Sequence, residues 1–203
     1  VSSAKGLPPF SCSGRSCLPA WPRALIAVKA KRRGHGLGSL RKDRTGGDDV
    51  LALTSPDFNP GEWIPERFTC DGQNVSPAFR WTGVPEGTKE LLLVCDDPDA
   101  PNGTFHHWAA YSIPPDWQFL HSGFGPESVE PGFRQAVNDF GKPGYGGPCP
   151  PKGDKPHSYH FRLSALSDHI VSAAPGASCV EIIRLAQPYI IEFAELVGVY
   201  GRE

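Results

Sequence analysis

Residues 89 to 97 read KELLLVCDD, an unbroken apolar run bounded by charges. A run of this length is too short for a buried helix and predicts a strand covered on both faces, which delivers Asp96 and Asp97 at its end. From 106 to 113 the pattern alternates, placing His107, Ala109, Tyr111 and Ile113 on one face and His106, Trp108, Ala110 and Ser112 on the other. A cleaner alternation follows at 157 to 165, with His157, Tyr159, Phe161, Leu163 and Ala165 against Ser158, His160, Arg162 and Ser164. The apolar set marks the core face, so His157 and Tyr159 start this strand pointing inward. VLALTSPDF (50 to 58), a short segment ending at Trp81 and FAELVGVYG (193 to 201) read as further strands. A helical period appears only at Ile182, Ile183, Leu185 and Ala186, preceded by Ser178 as N-cap with Glu181 completing a capping box and ended by Pro188.

Turn chemistry fills the intervals: Asn59-Pro60-Gly61-Glu62, Asp71-Gly72 and Ser76-Pro77. Gly (23) and Pro (22) together are too abundant for a helical bundle, which makes the chain mainly β, with short strands joined by turns. Residues 114 to 156 are loop-rich and contain FGKPGYGGPCPPKGDKP, and a segment this long without regular structure signals function.

Charge divides the 203 residues in two. Residues 1 to 49 hold ten Lys and Arg against three Asp, net +7, whereas residues 50 to 203 hold ten against nineteen acids, net −9. The first segment lacks sustained periodicity and reads as a basic, disordered extension, or alternatively as an organellar transit peptide, with KAKRR (29 to 33) as a solvated run. The second reads as one acidic domain, a poor binder of nucleic acid phosphates. Six cysteines (12, 17, 70, 95, 149 and 179) show no Cys-x-x-Cys pair, which predicts neither a zinc ribbon nor a disulfide framework and suits a reducing, cytoplasmic setting. No run of 18 apolar residues predicts a transmembrane helix.

The chemistry-bearing candidates are Asp97, Asp99, His107, His157 and Tyr159, each at a strand end or beside one, where a sheet presents polar groups at its rim. A carboxylate that accepts an imidazole N–H favours the charged ring, so Asp-His units with a tyrosine hydroxyl would suit a phosphate or carboxylate oxygen. Asp beside proline also serves turns, and one of the two Asp is expected to do only that. A metal centre is disfavoured, because His106 and His107 face opposite ways and only His107, His157 and an Asp could share one. There is no Gly-x-Ser-x-Gly elbow, Cys149 reads as a packing residue, and the glycine loop lacks the Gly-Lys-Ser/Thr ending of a nucleotide site.

DPDAP (97 to 101), HHW (106 to 108), GYGGPCPPKG (144 to 153) and HSYHF (157 to 161), in this order, resemble the phosphatidylethanolamine-binding protein family in its bacterial Raf-kinase-inhibitor-like form. IPERFTCDGQNVSPAFRWTGVPEGTKELLL, NDFGKPGYGG and ELVGVYGR extend the likeness over about residues 51 to 202. The resemblance implies an antiparallel β-sandwich with a few short helices and a small anion pocket at its mouth. Carried over by position, that pocket uses Asp97, Asp99, His107, Gly147, Pro150, Pro151, His157 and Tyr159, without cofactor or metal. The implied activity is binding of phosphate-like anions or phospholipid head groups. Alternatives are inhibition of a kinase or serine protease partner, and weak hydrolysis with His107 as general base. Homodimers are common in such relatives.

Overall fold

A computed structural model describes residues 50–125 and 132–203. The expected disordered extension or transit peptide at 1 to 49 lies outside the described residues. Two antiparallel sheets form: β1 (Ala52–Thr54), β2 (Phe79–Thr82) and β5 (Phe119–Leu120) in one, and β6 (Arg134–Gln135), β4 (Phe105–Ile113), β3 (Glu90–Asp97), β7 (His157–Leu166) and β8 (Ile190–Tyr200) in the other, in the order β6-β4-β3-β7-β8. The apolar run of β3 is buried along its whole length at the centre of the larger sheet. Leu53, Phe79, Trp81 and Leu120 from one sheet share a single core with Leu91, Leu93, Cys95, Phe161 and Leu163 from the other. The ring of Phe79 bridges the layers, 5.0 Å from that of Phe161. This is the expected mainly β architecture.

The other face of β3 is covered by α1 (Cys179–Ala186), which packs on β3 and β4. The Ser178 hydroxyl accepts the Glu181 amide at 3.2 Å, as the capping pattern predicts. Pro188 lies in a short 3-10 turn, Gln187–Tyr189, that leads directly into β8. Among the described residues, no helix is long and apolar enough to cross a membrane.

Strand β4 departs from the simple alternation. Leu91 and Leu93 of β3 face Ile113 and Ala110, and Cys95 and Asp96 face Trp108 and His106, so β4 carries an extra residue at two places. Ser112 takes φ 58° at the first irregularity. The second inserts His107 and turns Trp108 into the core beside Phe79 and Tyr145, whereas strict alternation assigns Trp108 to the opposite face from His107. One inserted residue reverses the face of all that follows, which a period-two reading cannot detect.

Candidate functional site

Three strand ends of the larger sheet and the loop 140 to 151 meet at one end of the core. Asp97 follows Cys95 on the core side of β3, His157 and Tyr159 open β7 on the same side, and the bulge brings His107 there from β4. The His107 ring packs edge-on against Tyr159, centroids 5.2 Å apart. His106 and Asp96 turn to the other face, where His106 Nδ1 lies 2.9 Å from Asp139 and Arg162 donates to Asp96 Oδ2 at 3.3 Å. There burial pushes the Asp96 carboxyl up to about 6. The two histidines of the HHW motif therefore serve different faces, as the sequence predicts.

Asp97 and His157 form a buried pair. Nδ1–H of His157 donates to Asp97 Oδ2 at 2.8 Å, and Asp97 Oδ1 accepts the Asp99 amide at 2.9 Å, closing the turn that opens DPDAP. Asp99 sits outside this pair: its Oδ2 accepts the Ser158 amide at 2.9 Å and its Oδ1 meets Lys155 at 3.3 Å. Those bonds, Ser158 first, hold the Asp99 carboxyl below its usual range. Asp99 thus pins the start of β7 to the DPDAP turn, while Asp97 both closes that turn and meets His157, so neither aspartate serves the turn alone.

His107 departs from the sequence expectation. The expected orienting aspartate is replaced by a backbone carbonyl: Nδ1–H donates to Gly146 O at 2.7 Å. Burial pulls the imidazole down to about 4, so the ring is neutral near pH 7. With Nδ1 carrying the proton, Nε2 is an acceptor, and His107 cannot donate to an anion unless the complex acquires a proton. Burial also keeps the Tyr159 phenol protonated far above its ordinary range, with the Asp97 charge adding to the effect. The Tyr159 hydroxyl and His157 Nε2 are both buried without a well-formed hydrogen bond among the described residues, although Asp97 and the Cys149 backbone lie beside the phenol. Asp154 Oδ2 lies 3.6 Å from His157 Nε2. A buried pair of this kind at one locus is the property of a site built for a polar guest.

Of the predicted residues, Asp97, His107, Pro150, Pro151 and His157 line one cleft of about 460 Å³. Tyr159 packs edge-on behind His107, Asp99 supports the rim, and Gly147 lines an adjoining cavity of about 330 Å³ together with Cys70, Asn74 and Lys142. Gly147 is there for space: a Cβ would overlap the Phe68 carbonyl and sit 2.8 Å from Asn74 Oδ1, which accepts the Gly147 amide at 2.7 Å. Sequence reasoning missed Asp139 and Phe140, which line the opposite rim, although both stand in NDFGKPGYGG immediately before the glycine loop. The Phe140 ring, 46% exposed, packs on Phe105 and His107.

The cysteine reading needs correction. Cys149 is no simple packing residue but is bonded to Cys70, 79 positions away, while Cys95 and Cys179 are buried free thiols. Linear spacing carries no signal for two cysteines brought together by separate loops. The bond joins the Pro150–Pro151 wall to the turn after the 3-10 helix Glu66–Phe68, and Arg202 crosses the junction: it is bidentate to Asp71 and donates to Pro150 O at 3.4 Å. Among the described residues, no group of three or more His, Cys, Asp or Glu is arranged to hold a metal.

The profile of the phosphatidylethanolamine-binding proteins matches residues 54–201. A UPF0098 protein of Aquifex aeolicus is 43% identical over 157 residues, 77% of this chain and 92% of its own length. The UPF0098 protein YbcL of Escherichia coli is 37% identical over 160 residues, 74% of this chain and 87% of its own. The crystal structure of YbcL, described as a member of the mammalian family, superposes with a TM-score of 0.70 at 34% identity, covering 75% of this chain and 99% of that one. A phosphatidylethanolamine-binding protein homologue of Chlamydia trachomatis gives 0.68 at 32% identity, covering 76% and 99%. Profile, relatives and fold agree over the segment that builds the cleft, and the chain belongs to the phosphatidylethanolamine-binding protein family, in its bacterial type.

Proposed function

We propose that this protein binds a small phosphate-like anion or phosphorylated head group in the cleft between Asp97, His107, His157 and the Pro150–Pro151 wall, without turning it over. The observation that carries the reading is the buried pair of His157 Nε2 and Tyr159 hydroxyl, neither with a well-formed hydrogen bond among the described residues, beside the neutral His107. The phenol donates to a ligand oxygen. His157, steadied by Asp97, offers Nε2 as donor when protonated, and His107 Nε2 accepts from a ligand P–OH. A neutral imidazole that burial has made weakly basic and that a backbone carbonyl holds at Nδ1 supports holding over hydrolysis. A cytoplasmic setting belongs to this reading.

Titration calorimetry with inorganic phosphate and phosphoethanolamine tests it. Loss of one hydrogen bond to a charged group costs about 1.5–3 kcal/mol, so His157→Ala should weaken binding about tenfold or more. Unchanged affinity in both His157→Ala and His107→Ala, or steady release of phosphate from a phosphoester, would overturn it. A second reading, inhibition of a kinase or protease through the same cleft, draws on the exposed Phe140 ring at its rim, an apolar contact for a partner chain. Capture of a partner that is lost equally in Phe140→Ala and His107→Ala would favour that reading.

A further inference from the structure

The bond between Cys70 and Cys149 lies where the two cavities adjoin. Cys149 lines the 460 Å³ cleft and Cys70 lines the 330 Å³ cavity beside it, and both residues are only half-buried. The contrast with Cys95 and Cys179 is sharp: those thiols are buried, and burial raises both above the ordinary thiol range. The two bonded sulfurs are also unlike each other. Arg202 Nη1 stands 3.6 Å from Cys149 Sγ, and its guanidinium is held there by two bonds from Nε and Nη2 to Asp71, at 2.9 and 2.8 Å. A fixed cation beside one sulfur makes that sulfur the better leaving thiolate. On the far side, the cavity at Cys70 is lined by the exposed Lys142 and by Asn74, and the Lys142 ammonium has no ion pair among the described residues.

We propose that this disulfide is a thiol-exchange site, attacked at Cys70 by a small acidic thiol that enters past Lys142, with Arg202 stabilising the departing Cys149 thiolate. The external thiolate forms a bond to Cys70 Sγ as the Cys70–Cys149 bond breaks, and the electron pair goes to Cys149 Sγ. A second external thiolate then attacks the sulfur of the bound thiol, releasing an external disulfide and the Cys70 thiolate, which takes up a proton. Two external thiols are oxidised and one protein disulfide is reduced. Once the bond opens, the Pro150–Pro151 wall keeps only weaker ties, such as Cys70 N–H to Pro148 O at 3.1 Å and Arg202 to Pro150 O. The state of the thiol pool thereby sets how firmly the cleft wall is held. The inference stands independently of which ligand the cleft takes.

The test uses the full chain with the disulfide formed, glutathione as the acidic thiol and β-mercaptoethanol as the neutral one. Acid-quenched samples are peptide-mapped by mass spectrometry over time. The mixed disulfide is expected on Cys70, with Cys149 free. Lys142→Ala should slow the glutathione reaction about threefold to tenfold and leave the β-mercaptoethanol reaction unchanged, since only the former is steered by charge. Arg202→Gln should slow both about threefold to tenfold, with Arg202→Lys retaining most of the rate. Label on Cys149, equal rates in all variants, reaction only after unfolding in urea, or two thiols that oxidised glutathione fails to join would each overturn the proposal.

Discussion

His107 and Asp96 are buried a few residues apart along adjacent strands, yet they titrate in opposite senses. The His107 imidazole has a folded value of about 4, against an ordinary 6.5, so between these limits the unfolded chain binds a proton that the folded one refuses. Its stabilisation is full above pH 6.5 and falls as pH drops towards 4, by up to about 3 kcal/mol. Asp96 has a folded value of about 6 against an ordinary 3.8, so the folded chain binds the extra proton and stability falls as pH rises through that interval. The wild-type profile between pH 4 and 6 is therefore expected to be shallow. Urea midpoints against pH should show a profile that declines with rising pH in His107→Gln and one that climbs in Asp96→Asn. Parallel profiles in both variants would contradict the assignment. Anion binding acts on the same ring: a negative guest raises the His107 value, so phosphate binding should take up protons and tighten as pH falls from about 7 to about 5. Calorimetry in buffers of different ionisation enthalpy measures that uptake directly.

At the scale of elements, the site depends on how a glycine loop and a bulged strand are held. Gly147 has no room for a methyl group between the Phe68 carbonyl and Asn74. Gly147→Ala should therefore destabilise the fold by about 1–3 kcal/mol, as overpacking does, and weaken phosphate binding by shifting the proline wall. The helix end offers a control remote from the cleft: Ser178→Ala removes the bond to the Glu181 amide and should lower stability by about 1 kcal/mol while leaving binding unchanged. Strand β3, the β7 alternation and the Ser178 cap were legible because each is a local pattern with its own period or spacing. The face of Trp108 was not, because a bulge is defined by two strands and leaves no mark in the alternation of one.

For the whole molecule, the core residues identified among the described positions span Leu51 to Tyr200, and the family match spans 54–201. We propose that residues 50 to 203 form the folding unit. A chain beginning at residue 50 should then keep the thermal midpoint and phosphate affinity of the full chain; a lower midpoint on truncation would assign residues 1 to 49 a part in the fold. The sandwich holds the cleft in place, because Phe79 packs on Trp108 and Phe161 in the same core that contains Tyr159, against which His107 rests. Phe79→Ala should cost about 3–5 kcal/mol in denaturant titration, the cost of an emptied aromatic site.

The sequence alone determined the mainly β class, the strands that carry Asp97, His107, His157 and Tyr159, and the opposite facing of His106 and His107, since hydrophobic periods and turn residues act over a few positions. It also determined the family, through motifs in fixed order. The tertiary structure decided which aspartate meets which histidine, that His107 is held by Gly146 rather than by a carboxylate, and that Cys70 joins Cys149. Those contacts link residues 39 to 79 positions apart. Partners this distant are selected by sheet register and loop packing, and the local pattern at either end contains no information about the other.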